Sequence, residues 1–508
     1  MNRSLSQTQP GDSRLGRLLD LANSHGELLD VTLTSPSDWH YVSEGGATIV
    51  YSYRGSYTPS FAGTVLRLRK IKICSDESTL STIQGTENQI NGDVPLESRN
   101  DPNQESSEGR EYKAIKTSGD RDDGTIEPDD PSVEFQHRIT SKLIPLAFLP
   151  RLESVCVKSP WLAELLSLSD SERPPERRRE DTIDIRRHKA VLATDLVGGS
   201  GWTVEIKPKW GFLPNPAYLS QETLSMKSQY CRFCMHSQFR TGYQDPKQQK
   251  YCPLDLYSGK ESRVAHALRC LWNAWIHSSG TANNLKIFVR GKVLDPNDAS
   301  EVLAPLLSLP KGVDKETLSM AFAAALLPPL QETPVLGSLA RLQRTLDPLD
   351  IEGLRTLYNS IINTENANAH KNKEGVIHPL EKVFPQPTFD DWECFINTYL
   401  SNGHSKDMIP VGALNIPVDS DTLHHYIKAY LLSATFKDCS IMIQPRESNS
   451  THDRVTVIDL DPKQMTRLKK WEALDREIAT SFRDAGLTPC SDEYLESLRS
   501  APGENLSS

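Results

Sequence analysis

The 508-residue chain has no apolar run approaching the length of a membrane helix. No N-terminal stretch joins a basic start to an apolar core, so no signal peptide is expected. Its nine cysteines follow no regular framework. With reducing conditions implied, free thiols are expected rather than disulfides. The chain carries no G-x-G-x-x-G or Walker loop. It also lacks an H-R-D-type catalytic loop, which excludes a relative of the protein kinases acting on polypeptides. A net charge of −10 gives no global field favouring nucleic acid. The expectation is a soluble intracellular protein, nuclear or cytoplasmic, with no nucleic acid or membrane partner and acting as a monomer. Its length supports two or three structural units with a substantial core.

The acidic residues are unevenly placed. The tract 75–131 is full of Ser, Asp, Glu, Asn and Gly, with few large apolar residues. It cannot bury enough apolar surface to offset the entropy of ordering, and disorder is expected there. Before it, 38–72 reads as a β-meander, with WHYVSEGGATIVYSYRG giving two β-runs around paired glycines and FAGTVLRLRKIKI a third. After it, a helix leads into a short strand over 135–157, and the Pro/Arg/Glu-rich stretch 169–188 reads as a surface loop. Farther on, 262–276, 314–327, 335–362, 421–437 and 463–485 have helical spacing, with Asp421 the expected N-cap of the fourth. DCSIMIQP and DRVTVIDLDPK read as paired strands. The fold class expected is α+β in two lobes. A β-rich N-terminal lobe (1–196) would precede a larger α/β C-terminal lobe (197–508).

Several short motifs bear chemistry, and each also has an ordinary structural reading. VEIKPKWGFLP (204–214) sets Glu205, Lys207 and Lys209 at alternating positions, on one face if the backbone is extended. Pro208 removes a ladder donor, which suits the end of a strand rather than its middle. Gly45 and Gly46 form either a plain hairpin turn or a backbone cradle for phosphate. Arg67 alternates with Leu66 and Leu68 and faces away from them. DRVTVIDLDPK (453–463) is an apolar strand ending in Asp459 and Asp461, and two carboxylates on one face call for a cation such as Mg²⁺, or for a solvated turn. Asp438 lies at a helix-to-strand junction, where it could cap the turn or accept a proton from a hydroxyl. CRFCMH (231–236) offers a Cys-x-x-Cys half-site, but only Cys252 and His236 stand near it. Thiols packed in a core are therefore expected, with Arg232 and His236 turned toward a cleft. Lys463, Arg467 and Trp471 are spaced i, i+4, i+8, which on a helix gives one cationic face.

Read in order, EGGATIVYSY, GTVLRLRK, VEIKPKWGFLP, CRFCMHSQF, PLDLYSG, NNLKIFVRG, KDCSIMI and VIDLD resemble the inositol-pentakisphosphate 2-kinase family, over roughly residues 38–485. That resemblance implies ATP-dependent phosphorylation of the 2-hydroxyl of inositol 1,3,4,5,6-pentakisphosphate to inositol hexakisphosphate (phytate). It implies a two-lobed kinase-like α+β fold, with the inserts at 75–131 and 169–188 lineage-specific as in fungal members. ATP and Mg²⁺ would be the cofactors, and the partners would be small molecules. It implies that Gly45 and Gly46 cover the nucleotide phosphates and that Arg67 contacts the nucleotide. Lys207, Lys209, Arg232, Lys463, Arg467 and Trp471 would bind the inositol phosphate, with Asn283 and Lys286 near the two substrates. Asp438 would be the base, and Asp459 with Asp461 would hold Mg²⁺. Lys286 stands where plant members have Arg, and Trp471 where they have Tyr. The Cys/His zinc pattern of plant members is not found. The competing expectation, from another class, is a non-catalytic polyphosphate-binding scaffold on the same fold.

Overall fold

A computed structural model describes residues 28–73, 127–199, 201–241, 250–368, 384–401, 417–445, 454–484, 487–493 and 495–496. Most of the tract 75–131 lies outside the described residues. The chain divides into two compact units, the first of 1–130 with 153–193 and the second of 131–152 with 194–508. Residues 131–152, expected in the N-terminal lobe, thus group with the second unit. Among the described residues, no helix is long and apolar enough to cross a membrane.

In the first unit, β1 (Trp39–Glu44), β2 (Thr48–Tyr53), β3 (Thr64–Lys72), β4 (Leu152–Cys156), β5 (Asp181–Ile183) and β6 (Lys189–Thr194) make one six-stranded sheet. The order is β1-β2-β3-β6-β4, with β5 also paired to β3. Alternation along β3 turns Leu66 and Leu68 into the core and leaves Arg67 half-buried on the other face, opposite Val50. One helix, Ser159–Ser169, closes the apolar face with Trp161, Leu162 and Leu165 against Trp39, Ile49 and Tyr51.

The stretch 169–188 is not a plain surface loop. It folds as a helical turn, a short helix (Pro175–Glu180) and β5, because it carries Arg173 into the interior. The Arg173 side chain has no exposed surface and its Nη2 donates to Glu44 at 2.9 Å and Asp181 at 2.8 Å. Lys70 Nζ completes the cluster, 3.0 Å from Glu44 and 2.8 Å from Asp181. Two cations against two carboxylates anchor the residue immediately before the Gly45–Gly46 turn.

The second unit is built on a five-stranded antiparallel sheet, β11 (Arg454–Ile458), β10 (Ser440–Gln444), β7 (Trp202–Ile206), β8 (Leu285–Val289) and β9 (Lys292–Val293), in that order. Every residue of the central strand β7 is buried. The helices used below are α1 (Glu261–His277), α2 (Lys315–Glu332), α3 (Val335–Thr345), α4 (Asp350–Asn368), α5 (Ser420–Lys437) and α6 (Arg467–Ser481). Trp272 and Trp275 of α1, Phe322 of α2 and Trp202 of β7 share one aromatic core.

Three boundaries differ from the sequence reading. The helix expected over 335–362 is two helices, because Pro348 cannot donate a helical bond and Asp350 takes a left-handed φ of 57°. The N-cap of α5 is Asp419, which accepts from the Thr422 N–H at 2.7 Å, and not Asp421. The last helix begins at Arg467, so Lys463 lies before it and no common helical face joins the two.

Candidate active site

β7 stops at Ile206, as Pro208 requires. Beyond it, the Lys207 N–H donates to the Asn284 carbonyl at 3.0 Å, and Asn284 Nδ2 donates to the Lys207 carbonyl at 2.9 Å. The Pro208 carbonyl accepts from Tyr251 OH at 2.8 Å. Lys209 then adopts a left-handed φ of 66°, which costs a non-glycine residue roughly 1–2 kcal/mol. Buried Gln343 holds this turn. Its Nε2 donates to the carbonyls of Lys209 at 3.2 Å and Phe436 at 2.9 Å, while its Oε1 accepts from the Gly211 N–H at 2.7 Å. Gly211 is obligatory, because a Cβ there would lie 2.4 Å from the Tyr257 ring. The extended geometry expected for all of 205–209 therefore ends early, and Lys209 reaches the site through a turn.

The partners of these lysines come from the neighbouring strands. Helix α5 is buried at every residue from Ala429 to Lys437 and ends at Asp438, its C-cap, from which the chain enters β10. A carboxylate at the negative end of a helix dipole is unfavourable unless cations face it. Here Lys463 Nζ lies 2.8 Å and Lys209 Nζ 3.6 Å from the two Asp438 oxygens. Next door, Lys207 Nζ lies 3.5 Å from Asp459 Oδ2. Asp459 also has a left-handed φ, 61°, so strand alternation does not carry through to Asp461. The Ser440 hydroxyl lies 2.9 Å from Glu205 Oε1 and 3.0 Å from Asp459 Oδ2, placed to donate to either. Glu205 pairs in register with Lys286 of β8, whose Nζ is 3.9 Å away. Carboxylates and ammonium groups thus alternate over four adjacent strands and their ends.

Burial alone would raise the Asp438 carboxyl. Lys463, Lys209 and Lys207 overcome this and hold it well below the ordinary carboxylate range. Burial likewise opposes the charge on Lys207, yet Asp459, Glu205 and Asp438 raise its pKa and keep it an ammonium. In the free protein, Asp438 is thus held as a carboxylate and Lys207 as an ammonium.

A second layer lies behind. Lys437, buried, sits 4.0 Å from the centroid of the Trp210 ring and 2.6 Å from Asp347. Arg232, at the start of the Arg232–Thr241 helix, lies 5.6 Å from the same ring and 3.2 Å from Asp475. Its Nε faces the Asp475 carboxylate, while Nη1 is buried without a hydrogen-bond partner, a donor that suits an arriving anion. Lys227 Nζ occupies the nearby acidic group, 2.6 Å from Asp350, 2.6 Å from Asp475 and 2.9 Å from Glu352.

The structure joins Glu205, Lys207, Lys209, Lys286, Asp438, Asp459 and Lys463 in one cluster, each paired with at least one other. Asp461 contributes its carbonyl to Thr435 Oγ1 at 2.9 Å. Arg467 stands half-buried at the first turn of α6, and Trp471 packs on Tyr430 with ring centroids 6.1 Å apart. Asn283 is half-buried just before β8, while the adjacent Asn284 fixes Lys207. Gly45, Gly46 and Arg67 belong to the first unit, at the β1–β2 connection and on β3. Sequence reasoning missed Asn284, Gln343, Ser440 and Lys437. The latter two flank Asp438-Cys439 and could have been suspected, whereas Gln343 lies on a remote helix with no local signal. The thiols of CRFCMH pack in a small apolar cluster with Leu213 and Leu254, where core thiols were expected. Cys231, Cys234, Cys252 and Cys490 bring their sulfurs within 4.8 Å of one another. The missing fourth member stands at position 490, far along the chain.

Comparison with known proteins gives the chain's family. The family model described as inositol-pentakisphosphate 2-kinase matches residues 41–477. An inositol-pentakisphosphate 2-kinase of Cryptococcus neoformans is 31% identical over 463 residues, covering 88% of this chain and 93% of its own. The Arabidopsis thaliana enzyme of that name is 25% identical over 486 residues, covering 88% and 93%. One from Oryza sativa subsp. indica is 28% identical over 496 residues, covering 88% and 94%. The chain belongs to the inositol-pentakisphosphate 2-kinase family and is a kinase.

Proposed function

We propose that this kinase transfers the γ-phosphoryl group of ATP to the 2-hydroxyl of inositol 1,3,4,5,6-pentakisphosphate, giving inositol hexakisphosphate. The observation that carries the reading is the placement of Asp438 between Lys209 and Lys463, beside the Lys207–Asp459 pair. A pentakisphosphate brings on the order of ten negative charges. Its phosphates compete for the lysines that Asp438 and Asp459 hold in the free protein. As Lys209 and Lys463 turn to phosphate, Asp438 loses the cations that depress its pKa. It becomes a stronger base at the moment an acceptor hydroxyl is in reach. The new bond joins the 2-oxygen to Pγ, the Pγ–O bond to the β-phosphate breaks, and the hydroxyl proton passes to Asp438. The lysine ammonium groups offset charge that develops on the transferring group. Arg232, with its unpartnered Nη1, Arg467, Lys286, Asn283 and Trp471 complete the inositol phosphate subsite.

The donor set also fits Mg²⁺. Asp459 offers a half-exposed carboxylate, and Asp461 lies two residues on. Hard oxygen ligands completed by substrate phosphates are the usual octahedral arrangement. When bound, the ion supplies charge neutralisation to the triphosphate. Gly45, Gly46 and Arg67 are assigned to the nucleotide phosphates and the nucleotide, with the Glu44 ion cluster stiffening the turn. All these residues come from one chain, so a monomer suffices, in the nucleus or the cytoplasm.

Purified protein given ATP, Mg²⁺ and the pentakisphosphate should release ADP and inositol hexakisphosphate in equal amounts. Tight substrate binding without phosphoryl transfer would reduce the protein to a polyphosphate-binding scaffold and end the proposal.

A further inference from the structure

We propose that Lys437 is a positioning residue for Asp438, and that its seat among Trp210, Phe212, Tyr430 and Asp347 holds the base in register with the lysine turn. The inference rests on the reading of Asp438 as the base. Lys437 is the last residue of α5, and Asp438 follows as the C-cap. Its side chain is 2% exposed. The ammonium lies 4.0 Å from the centroid of the Trp210 ring, 4.7 Å from that of Tyr430 and 5.2 Å from that of Phe212. Asp347 Oδ2 closes the seat at 2.6 Å.

An apolar residue would sit here at less cost. Burial opposes the charge on Lys437 and pulls its pKa below the ordinary lysine range, with Asp347 the main group acting against that. A buried ion pair is often no more stabilising than apolar side chains of the same volume. Methionine would fill an aromatic slot without the penalty. Stability alone therefore does not explain a lysine at this position, whereas geometry does. A hydrogen bond to a carboxylate and ammonium–ring contacts fix direction and distance, which apolar packing leaves loose.

The groups around Lys437 belong to the segments that carry the site. Trp210 and Phe212 follow Lys209 in the chain, and their rings lie 6° from parallel with centroids 6.1 Å apart. The Arg232 guanidinium lies 5.6 Å from the same Trp210 centroid. Asp347 stands just beyond α3, the helix that carries Gln343. Gln343 binds the main chain of the same two segments, at the Phe436 and Lys209 carbonyls. The Asp438 N–H makes a long bond, 3.3 Å, to the Thr435 carbonyl. Lys437 therefore braces with its side chain what Gln343 braces through the backbone: the residue bearing the base, the lysine turn and the end of α3. A shift of about 1 Å in a reacting group costs about a hundredfold in rate, so the brace bears on kcat.

Lys437→Met keeps the length of the side chain and removes the charge. In full-length protein kcat should fall about 10–100-fold, while calorimetric affinity for the pentakisphosphate changes by less than about threefold. Placed in Asp438→Asn protein, the same substitution should lower the residual single-turnover rate by less than about threefold, since no base is left to align. A role in stability alone would cost the same factor in both backgrounds. A Lys437→Met rate within about threefold of wild type, equal losses in the two backgrounds, or rate and affinity falling together would each overturn the inference. If Lys437→Met fails to fold, Asp347→Asn, which keeps an acceptor and removes its charge, is read in the same two backgrounds. It should lower kcat about tenfold beside an intact Asp438 and leave the Asp438→Asn rate unchanged, and any other pattern overturns the inference. Asp438→Asn alone separates the two readings. Wild-type turnover in that protein would end the assignment of the base, whereas slow turnover there with an unaffected Lys437→Met protein would end only the role of Lys437.

Discussion

Replacing Asp438 with asparagine separates chemistry from binding. The amide keeps the size of the side chain and can still accept a hydrogen bond from Lys463, but it cannot take the hydroxyl proton. Loss of a positioned base typically costs 10²–10⁴-fold, so kcat should fall by that factor, a barrier increase of about 2.7–5.4 kcal/mol. Affinity should move the other way. In the free protein, Asp438 pairs with Lys463 at 2.8 Å and Lys209 at 3.6 Å, and its side chain is 31% exposed. Pairs this open to solvent are worth at most about 1 kcal/mol each. Releasing both lysines for phosphate would tighten binding by no more than about thirtyfold. Steady-state kcat, single-turnover rates and calorimetric affinity for the pentakisphosphate together measure the split. A fall in kcat of less than tenfold, or a loss of affinity matching the loss of rate, would refute the assignment of Asp438 as base.

Other outcomes follow from the same geometry. Lys207→Ala and Lys209→Ala should each weaken pentakisphosphate binding about 10–100-fold, the worth of a charge-assisted hydrogen bond, with a shallower salt dependence than wild type; unchanged calorimetric affinity would contradict the subsite. Because Asp438 is held deprotonated in the free protein, the acid limb of kcat/KM should follow the second ionisation of the substrate phosphates, near pH 6, and not an enzyme carboxyl. Lys207, with its raised pKa, should remain charged throughout that range and produce no basic limb below about pH 10. A pH–rate profile tests both. Gln343→Leu should raise KM for the pentakisphosphate more than it lowers kcat, since it frees Lys209 and leaves the Gly211 N–H buried and unpaired. Arg173→Met should destabilise the protein by about 3–5 kcal/mol in denaturant titration by leaving Glu44 and Asp181 to share only Lys70.

Local signals carried much of this far. β1, β2, β3, β7, β10 and β11 announce themselves by alternation or by apolar runs between turn residues. Lys207, Lys209, Asp438 and Asp459 stood out because charge at the end of an apolar strand needs a reason. What stayed hidden depends on contacts between segments distant in sequence. Arg173 looks like part of a solvated charge run until its carboxylate partners arrive from β1 and β5. Gln343 has no local mark, yet it fixes a left-handed lysine. Cys490 completes a metal-like cluster from 238 positions beyond Cys252. The break before α4 was legible in Pro348 and was overridden by the strong helical spacing on both sides.

The most direct test of the central claim is a crystal structure with a non-hydrolysable ATP analogue, Mg²⁺ and inositol pentakisphosphate bound. The account predicts the free 2-hydroxyl within about 2.6–3.2 Å of an Asp438 carboxylate oxygen. It also predicts that Lys209 and Lys463 will have moved from Asp438 onto substrate phosphates. A ring bound with a phosphate, rather than the hydroxyl, against Asp438, or with both lysines still on the carboxylate, would contradict it.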